Sequence, residues 1–390
     1  MLFPLVVHPW NLILAGLAGL SCCLVLWQWL AARRFPLHQK ANARDFTPAV
    51  SVLKPLKGCD ETTETSLRSW FAQQYAGNWE ILFGVADGQD TVCDIVRRLI
   101  TQNPSVSARL VVCENLTGAN AKVAKLARLQ QLAAHGLILI SDADVRVTPD
   151  FIGNMVAPLR AEQTALVNCF YRLANPTTTA LQWEAVAINA DFWSQVLQST
   201  TLKPLNFALG AAILVRRQAL EEIGGFASLV DCLADDYQLG RQIADHGHNL
   251  ALCSQVVECW DSPKDWRQVW KHQLRWARTI RVCQPGPYFF SILSNGSLWP
   301  AILAVAALGS GNLWFGLLAA GLCIGMRILL AQDLQRRFTP NRRLVSPFWL
   351  VPTKDFAQAI LWLGAFLGTS IEWRGRRMKV RRDGTLLAAD

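Results

Sequence analysis

Apolar positions fall along this chain in three regimes. Residues 11–31 are almost unbroken apolar sequence, from Asn11-Leu-Ile-Leu to Trp27-Gln-Trp-Leu-Ala. About 20 such residues cross a bilayer as a helix. In the middle of the chain the apolar runs shorten and alternate between two kinds. Val50-Ser-Val-Leu53, Glu80-Ile-Leu-Phe-Gly-Val85, residues 108–112 and Leu137-Ile-Leu-Ile140 read as strands. Between them, residues 66–74, with Leu67, Trp70 and Phe71 inward, and the set Val92, Ile95, Val96, Leu99 and Ile100 recur at helical spacing. Strand–helix units of this length predict a mostly parallel sheet covered by helices on both faces. Beyond Asp144 the pattern predicts strands over 165–170 and 210–215, a long helix over 178–197, a helix ending at Gly224-Gly225 and another from Asp235 through Ile243.

After residue 262 the pattern changes again. At 100° per residue, Lys264, Arg267, Lys271, Arg275, Arg278 and Arg281 form one stripe of a helix. Trp266, Val269, Trp270, Ala277 and Ile280 form an apolar face, and Gln268, His272, Arg275 and Thr279 a strip between them. A basic amphipathic helix bearing Trp fits the membrane interface, although a solvated surface helix has the same pattern. Apolar spans follow at about 287–308 and 312–331. Residues 345–371 are apolar but broken by Pro347, Pro352, Lys354 and Asp355. Arg33, Arg34 and Lys40 after the first span, and the basic residues among 332–343 and 373–382, place these stretches on the cytoplasmic side. One clean crossing by 345–371 would put the tail on the wrong side, so a re-entrant hairpin or interfacial segment is predicted there. A cleaved signal peptide fits the N-terminus less well, because its basic residues follow the apolar run. The expected division is a membrane anchor (1–34), a catalytic domain (35–262), an interfacial helix (263–285), a transmembrane or re-entrant region (286–372) and a basic tail (373–390). The expected location is a bacterial inner membrane, with several passes and a cytoplasmic catalytic domain.

Composition sharpens this picture. Of 390 residues 52% are hydrophobic and only 17% charged, too apolar for an ordinary soluble domain. The net charge of +9 suits anionic lipid or phosphorylated ligands. The 11 Cys show neither Cys-x-x-Cys nor Cys/His spacing, which argues against a zinc site or a disulfide framework.

The candidate chemistry is acidic. Asp142 and Asp144 follow the strand 137–140, at the end of an α/β sheet where ligands bind. Two carboxylates so close need a counter-charge, and a divalent metal carrying a diphosphate supplies one. Alone, Asp-x-Asp is common and reads first as a solvated turn. Asp87 and Asp90 follow an earlier strand, and Asp235-Asp236 opens a helix, where capping is the simplest role. No Gly-x-Gly-x-x-Gly or Gly-x-x-x-x-Gly-Lys-Ser/Thr is present, so neither a dinucleotide cradle nor a P-loop is expected.

In order along the chain, these signals resemble a membrane-bound glycosyltransferase of the GT-A fold, an α/β domain with a Rossmann-like mixed sheet. The resemblance is to the ceramide glucosyltransferase family and its bacterial branch that glycosylates hopanoids. The matching segments are Val50-Ser-Val-Leu-Lys-Pro-Leu-Lys-Gly58, Phe83-Gly-Val-Ala-Asp87, Ser141-Asp-Ala-Asp144, Leu233-Ala-Asp-Asp-Tyr-Gln-Leu-Gly240 and His272-Gln-Leu-Arg-Trp276. The resemblance implies that Asp87, Asp90, Lys54, Lys57 and Lys122 serve the nucleotide. Asp142 and Asp144 would flank Mg²⁺ or Mn²⁺ and the diphosphate. Asp236 would be the general base, and Arg275 and Trp276 would shape the diphosphate and acceptor pocket. The family places Gln or Arg where this chain has His272. That residue would either carry the equivalent hydrogen bond, adding an acidic limb to the pH–rate profile, or merely pack on Trp276. The implied reaction moves one sugar from a UDP-sugar, with inversion, to a membrane-lipid hydroxyl. The first acceptor is a hopanoid polyol such as bacteriohopanetetrol, with UDP-N-acetylglucosamine as donor; the alternative is ceramide with UDP-glucose. Nucleic acid is not an expected partner. A processive polysaccharide synthase would need more spans, and a non-catalytic scaffold or lipid sensor would lack one of the carboxylates.

Overall fold

A computed structural model describes residues 9–41, 45–339, 345–373, 376–381 and 384–388. Parts of the basic stretches named above, residues 340–344, 374, 375, 382 and 383, lie outside the described residues. The chain divides into two units: Met1–Phe35, Pro176–Leu202 and Pro263–Glu372 form one, and Pro36–Asn175, Lys203–Ser262 and Trp373–Asp390 the other.

The second unit is built on eight strands: β1 (Val50–Pro55), β2 (Trp79–Val85), β3 (Ser107–Val112), β4 (Leu137–Ser141), β5 (Val145–Arg146), β6 (Thr164–Leu173), β7 (Ala212–Arg216) and β8 (Asn249–Cys259). Their order is β3-β2-β1-β4-β7-β6-β8-β5. The first four pair in parallel and β6 with β8 likewise, whereas β7 runs antiparallel to β4 and β6, and β5 to β8. The central strands are buried on both faces, which is why they read as continuous apolar runs. Val52, Phe83 and Leu139 pack on one side with Leu67, Trp70, Val96 and Leu99 of two helices, Thr63–Phe71 and Val92–Gln102. Leu53, Leu82 and Ile140 pack on the other with Val123, Leu126 and Leu129 of the helix Ala121–Leu132.

Register decides where the chemistry lies. Leu53 pairs with Ile140 and Pro55 with Gly84, so the loops after β1, β2 and β4 leave the same edge of the sheet. Because β7 is antiparallel to β4, its beginning reaches that edge too: Ser141 pairs with Ala212, and the Asp142 N–H donates to Ala211 O. The long strand β8 was not foreseen. Its inward positions are Cys253, Gln255 and Val257, and the buried Gln255 hides the two-residue period. The basic tail also contains structure: Arg376–Val380 pairs antiparallel with Leu386–Ala388, and the Leu386 N–H bonds Asp231 O.

The first unit is helical. Pro9–Arg34 and Leu313–Phe338 are, among the described residues, the two helices long and apolar enough to cross a membrane. The pair Pro285–Ser294 and Leu298–Gly309 passes the same test only jointly and bends by 51°, at the Asn295-Gly296 break. Within 345–371, where a re-entrant hairpin or an interfacial segment is expected, the chain forms one continuous helix, Leu350–Phe366, rather than a hairpin. Pro352 falls in its first turn, where no intrahelical N–H is required. Lys354 and Asp355 do not break the helix because each finds a buried partner. Arg327 Nη2 lies 2.9 Å from both Asp191 oxygens and 3.0 Å from Asp355 Oδ1, and Lys354 pairs with Asp191 and, at 2.8 Å, with Asp355. Ser297 Oγ donates to Asp355 at 2.7 Å. Asp191 sits in a π-helical stretch, Ala187–Phe192, that interrupts the predicted long helix 178–197; widened turns of this kind occur where a helix serves a special purpose. In the amphipathic helix Trp266–Cys283 the buried stripe is Val269, Gln273 and Ala277, whereas Trp266, Trp270 and Ile280 are exposed.

Candidate active site

Lys54, near the end of β1, is fully buried. Its ammonium donates to Ser141 Oγ (3.1 Å) and to the Asp142 carbonyl (2.7 Å), and lies 4.5 Å from the centre of the Trp70 ring. Burial draws its pKa down to about 7, against the pull of Asp144 and Asp142. The amine is therefore committed to holding the turn after β4.

On that turn Asp142 carries the main ion pair. Lys122 Nζ lies 2.8 Å from Asp142 Oδ1 and 3.2 Å from Asp235 Oδ2. Burial opposes the charge of Lys122, but Asp142 and Asp235 more than compensate and raise its pKa. The lysine is placed by Asn120, which caps the helix Ala121–Leu132 by accepting from the N–H groups of Lys122 and Val123. The Asn120 amide also donates to Cys232 O at 2.9 Å and Asp235 Oδ1 at 3.3 Å, tying this helix start to that of Asp235–Asp245.

Asp144 is the uncompensated member. Burial, then Asp142 and Asp261, push its carboxyl up to about 7. Surplus negative charge of this kind suits a divalent ion. Among the described residues no group of three or more His, Cys, Asp or Glu side chains is arranged to hold a metal. An ion on Asp142 and Asp144 would thus complete its shell with phosphate oxygens and water, as Mg²⁺ and Mn²⁺ do in diphosphate sites.

Asp236 is the second carboxyl with a raised pKa, about 6, through burial and the neighbouring Asp235, with Lys122 acting in the opposite sense. A carboxylate poised there is suited to accept a proton near neutral pH. Two glycines let its helix come close. A Cβ on Gly240 would lie 2.2 Å from Ala208 N, and one on Gly210 would lie 2.6 Å from Asp236 Oδ2. Gly210→Ala is therefore expected to displace the carboxylate and lower turnover while nucleotide binding persists; unchanged kcat would reject this role for the gap.

Asp90 and Asp87 occupy the loop after β2. Asp90 accepts from Gly58 N–H (2.9 and 3.0 Å) and Val92 N–H (3.0 Å), bracing the loop after β1 against the following helix. Asp87 is exposed and accepts from Gln89 N–H at 2.9 Å.

His272, Arg275 and Trp276 belong to the helical unit. His272 stacks edge-on against Trp276, centroids 4.9 Å apart, and Trp276 lies 6.1 Å from Phe192. His272 Nδ1 also lies 2.5 Å from Oε1 of Glu184, a residue that sequence reasoning passed over. Its signal was a single carboxylate within the apolar run Thr179–Val186. Asn120 and the lysine-binding role of Asp235 were likewise missed, being local caps to the eye.

The structure thus assembles Lys54, Lys122, Asp142, Asp144 and Asp236 into one electrostatically linked group in the α/β unit, with Asp235 added. A mannosyltransferase from Pyrobaculum calidifontis, PcManGT, solved with GDP-Man and Mn²⁺, has the same fold, with a TM-score of 0.54 at 20% identity, over 92% of this chain and 96% of that one. Ceramide glucosyltransferase 1 of Caenorhabditis elegans is 24% identical over 367 residues, which is 90% of this chain and 76% of the relative. Ceramide glucosyltransferase 3 of the same organism is 26% identical over 234 residues, 58% of this chain and 49% of the relative. The sequence profile of Glycosyl transferase family 21 matches residues 13–386. With its GT-A-like sheet and its acidic cluster at the carboxyl edge of the parallel strands, this chain is a sugar-nucleotide-dependent glycosyltransferase and belongs to glycosyl transferase family 21.

Proposed function

We propose that the protein transfers a single sugar from a UDP-sugar to the hydroxyl of a membrane lipid, inverting the anomeric carbon. The observation that carries this reading is the pairing of a turn with surplus negative charge, Asp142-Ala-Asp144, with a carboxyl raised to about 6 at Asp236, linked through Lys122. A lipid hydroxyl is a poor nucleophile, and Asp236 takes its proton as it attacks. Lys122 fixes Asp142, and Lys54 fixes the turn from behind. A divalent ion on Asp142 and Asp144 would neutralise the charge growing on the departing diphosphate. Asp87 and Asp90 serve the nucleotide, Asp90 by shaping the loop at Gly58. Arg275 and Trp276 serve the diphosphate and the acceptor. Catalysis resides in residues 35–262, the helix 263–285 and the spans in 286–372 serve the lipid, and the positive-inside rule puts the catalytic domain in the cytoplasm of a cell with an inner membrane.

Two acceptor classes have specific support. The resemblance of the sequence to the hopanoid-glycosylating branch favours a hopanoid polyol with UDP-N-acetylglucosamine as donor. The ceramide glucosyltransferase relatives favour ceramide with UDP-glucose. Both are tested by incubating the purified protein in bilayer nanodiscs with each labelled UDP-sugar and each lipid, and reading the products by mass spectrometry. One sugar on one lipid is expected, with stoichiometric UDP. Chelation by EDTA is expected to abolish turnover and added Mg²⁺ or Mn²⁺ to restore it. A polymeric product, or no glycolipid from either class, would overturn the reading.

A further inference from the structure

Glu184 is the one charged side chain in the helix Thr179–Val186, and its side chain is 1% exposed. Leaving an unpaired carboxylate in such a place is costly. Its Oε1 takes two donors, His272 Nδ1 at 2.5 Å and Gln273 Nε2 at 2.8 Å, from successive residues of the helix Trp266–Cys283. Its Oε2 is buried and lacks a hydrogen-bond partner among the described residues. Burial pushes the Glu184 carboxyl up, but His272, Gln273 and the charge of Lys264 outweigh this and hold it below the usual carboxylate range. An ionised carboxylate can only accept. The proton between the two groups therefore sits on Nδ1, and in the neutral ring the lone pair is on Nε2.

This assignment changes what the helix offers. Arg at position 272 would present only N–H donors, and Gln would present an amide free to turn either way. A histidine pinned at Nδ1 by a buried carboxylate presents, while its ring is neutral, a fixed acceptor at Nε2, its orientation further limited by the Trp276 ring. We propose that Glu184 is a positioning residue of the transferase: it locks His272 so that Nε2 accepts a hydrogen bond from a hydroxyl of the lipid acceptor. The group facing Nε2 is thus a hydroxyl rather than an anionic oxygen. The proposal rests on the lipid-transferase reading above.

The test uses the full-length protein in nanodiscs with Glu184→Gln, His272→Gln, His272→Asn and the double variant Glu184→Gln/His272→Gln. Glu184→Gln is expected to lower kcat/KM for the lipid on the order of 10-fold, the lower end of the loss seen when the carboxylate that orients a metal-ligating histidine is removed, with KM for the UDP-sugar unchanged. The double variant should be no worse than His272→Gln alone, because Glu184 acts only through the imidazole. His272→Gln, whose amide reaches the Nε2 position, should retain more activity than His272→Asn, whose amide mimics Nδ1. Multiplicative losses in the double variant, or Asn outperforming Gln at 272, would overturn the proposal. The two single substitutions at 272 keep the test open even if Glu184→Gln fails to fold. A wild-type protein inactive on both lipid classes would remove the transferase reading and this proposal with it. An active wild type alongside a fully active Glu184→Gln would remove this proposal alone.

Discussion

Asp236→Asn is expected to cost on the order of 10²–10⁴-fold in kcat, the usual contribution of a positioned general base, while the protein stays folded. The amide has the shape of the carboxyl, so the gap over Gly210 and the Tyr237 N–H, which donates to Asp236 Oδ1 at 2.8 Å, are both preserved. Only the ability to take a proton is lost. The wild-type rate should fall as pH drops through about 6, where burial and Asp235 have placed this carboxyl. Stability should move the other way. A carboxyl whose folded pKa is raised binds its proton more tightly in the native state, so the fold is least favoured above about pH 6, where the side chain must ionise, and recovers as pH falls towards the unfolded value. Asn removes that ionisation cost, so its Tm at pH 8 should equal or exceed that of the wild type, with the difference closing below pH 6. Lost turnover with an undiminished Tm separates a missing base from a damaged fold. Retained turnover would remove Asp236 as the base.

Arg327→Met is expected to be the most destabilising single change in the helical unit, by about 3–5 kcal/mol, the penalty for breaking a buried ion pair from one side. The cluster balances two cations, Arg327 and Lys354, against two carboxylates, Asp191 and Asp355, and all four side chains are less than 10% exposed. Without the guanidinium, Lys354 alone faces both carboxylates. Arg327→Lys keeps the charge but not the fork that reaches Asp191 and Asp355 together, so it should fall between Met and wild type. Adding Asp191→Asn to Arg327→Met restores the charge balance and should regain part of the loss. Thermal unfolding in nanodiscs measures all four proteins. A Met variant that melts with the wild type would show that the cluster contributes little.

Much of the α/β architecture was legible because both-face burial leaves an unmistakable mark: Val50 to Leu53 and Leu137 to Ile140 carry little polar relief. The edge of the sheet was legible for a different reason, since carboxylates directly after such strands are wasteful unless they meet a ligand. What stayed hidden was pairing at long range. Lys54 reads as a residue open to the nucleotide, yet its amine is fully enclosed behind Asp142. Lys354 and Asp355 read as a break, because their partners Asp191 and Arg327 are 163 and 28 residues away in sequence. Gln255 and Glu184 are polar residues on inward faces, and a periodicity argument counts them as outward. Each error has the same origin: a buried polar group looks exposed until its partner is known.

The residues 176–202, which interrupt the α/β unit between β6 and β7, have a consequence for biosynthesis. Asp191 leaves the ribosome 136 residues ahead of Arg327 and 163 ahead of Lys354. Trp193 likewise waits for Phe338, onto which it stacks at 4.6 Å. Throughout that interval the nascent chain carries Asp191 without its cationic partners and Trp193 without Phe338. Truncation after residue 262, the obvious way to obtain a tractable fragment, would make that transient condition permanent.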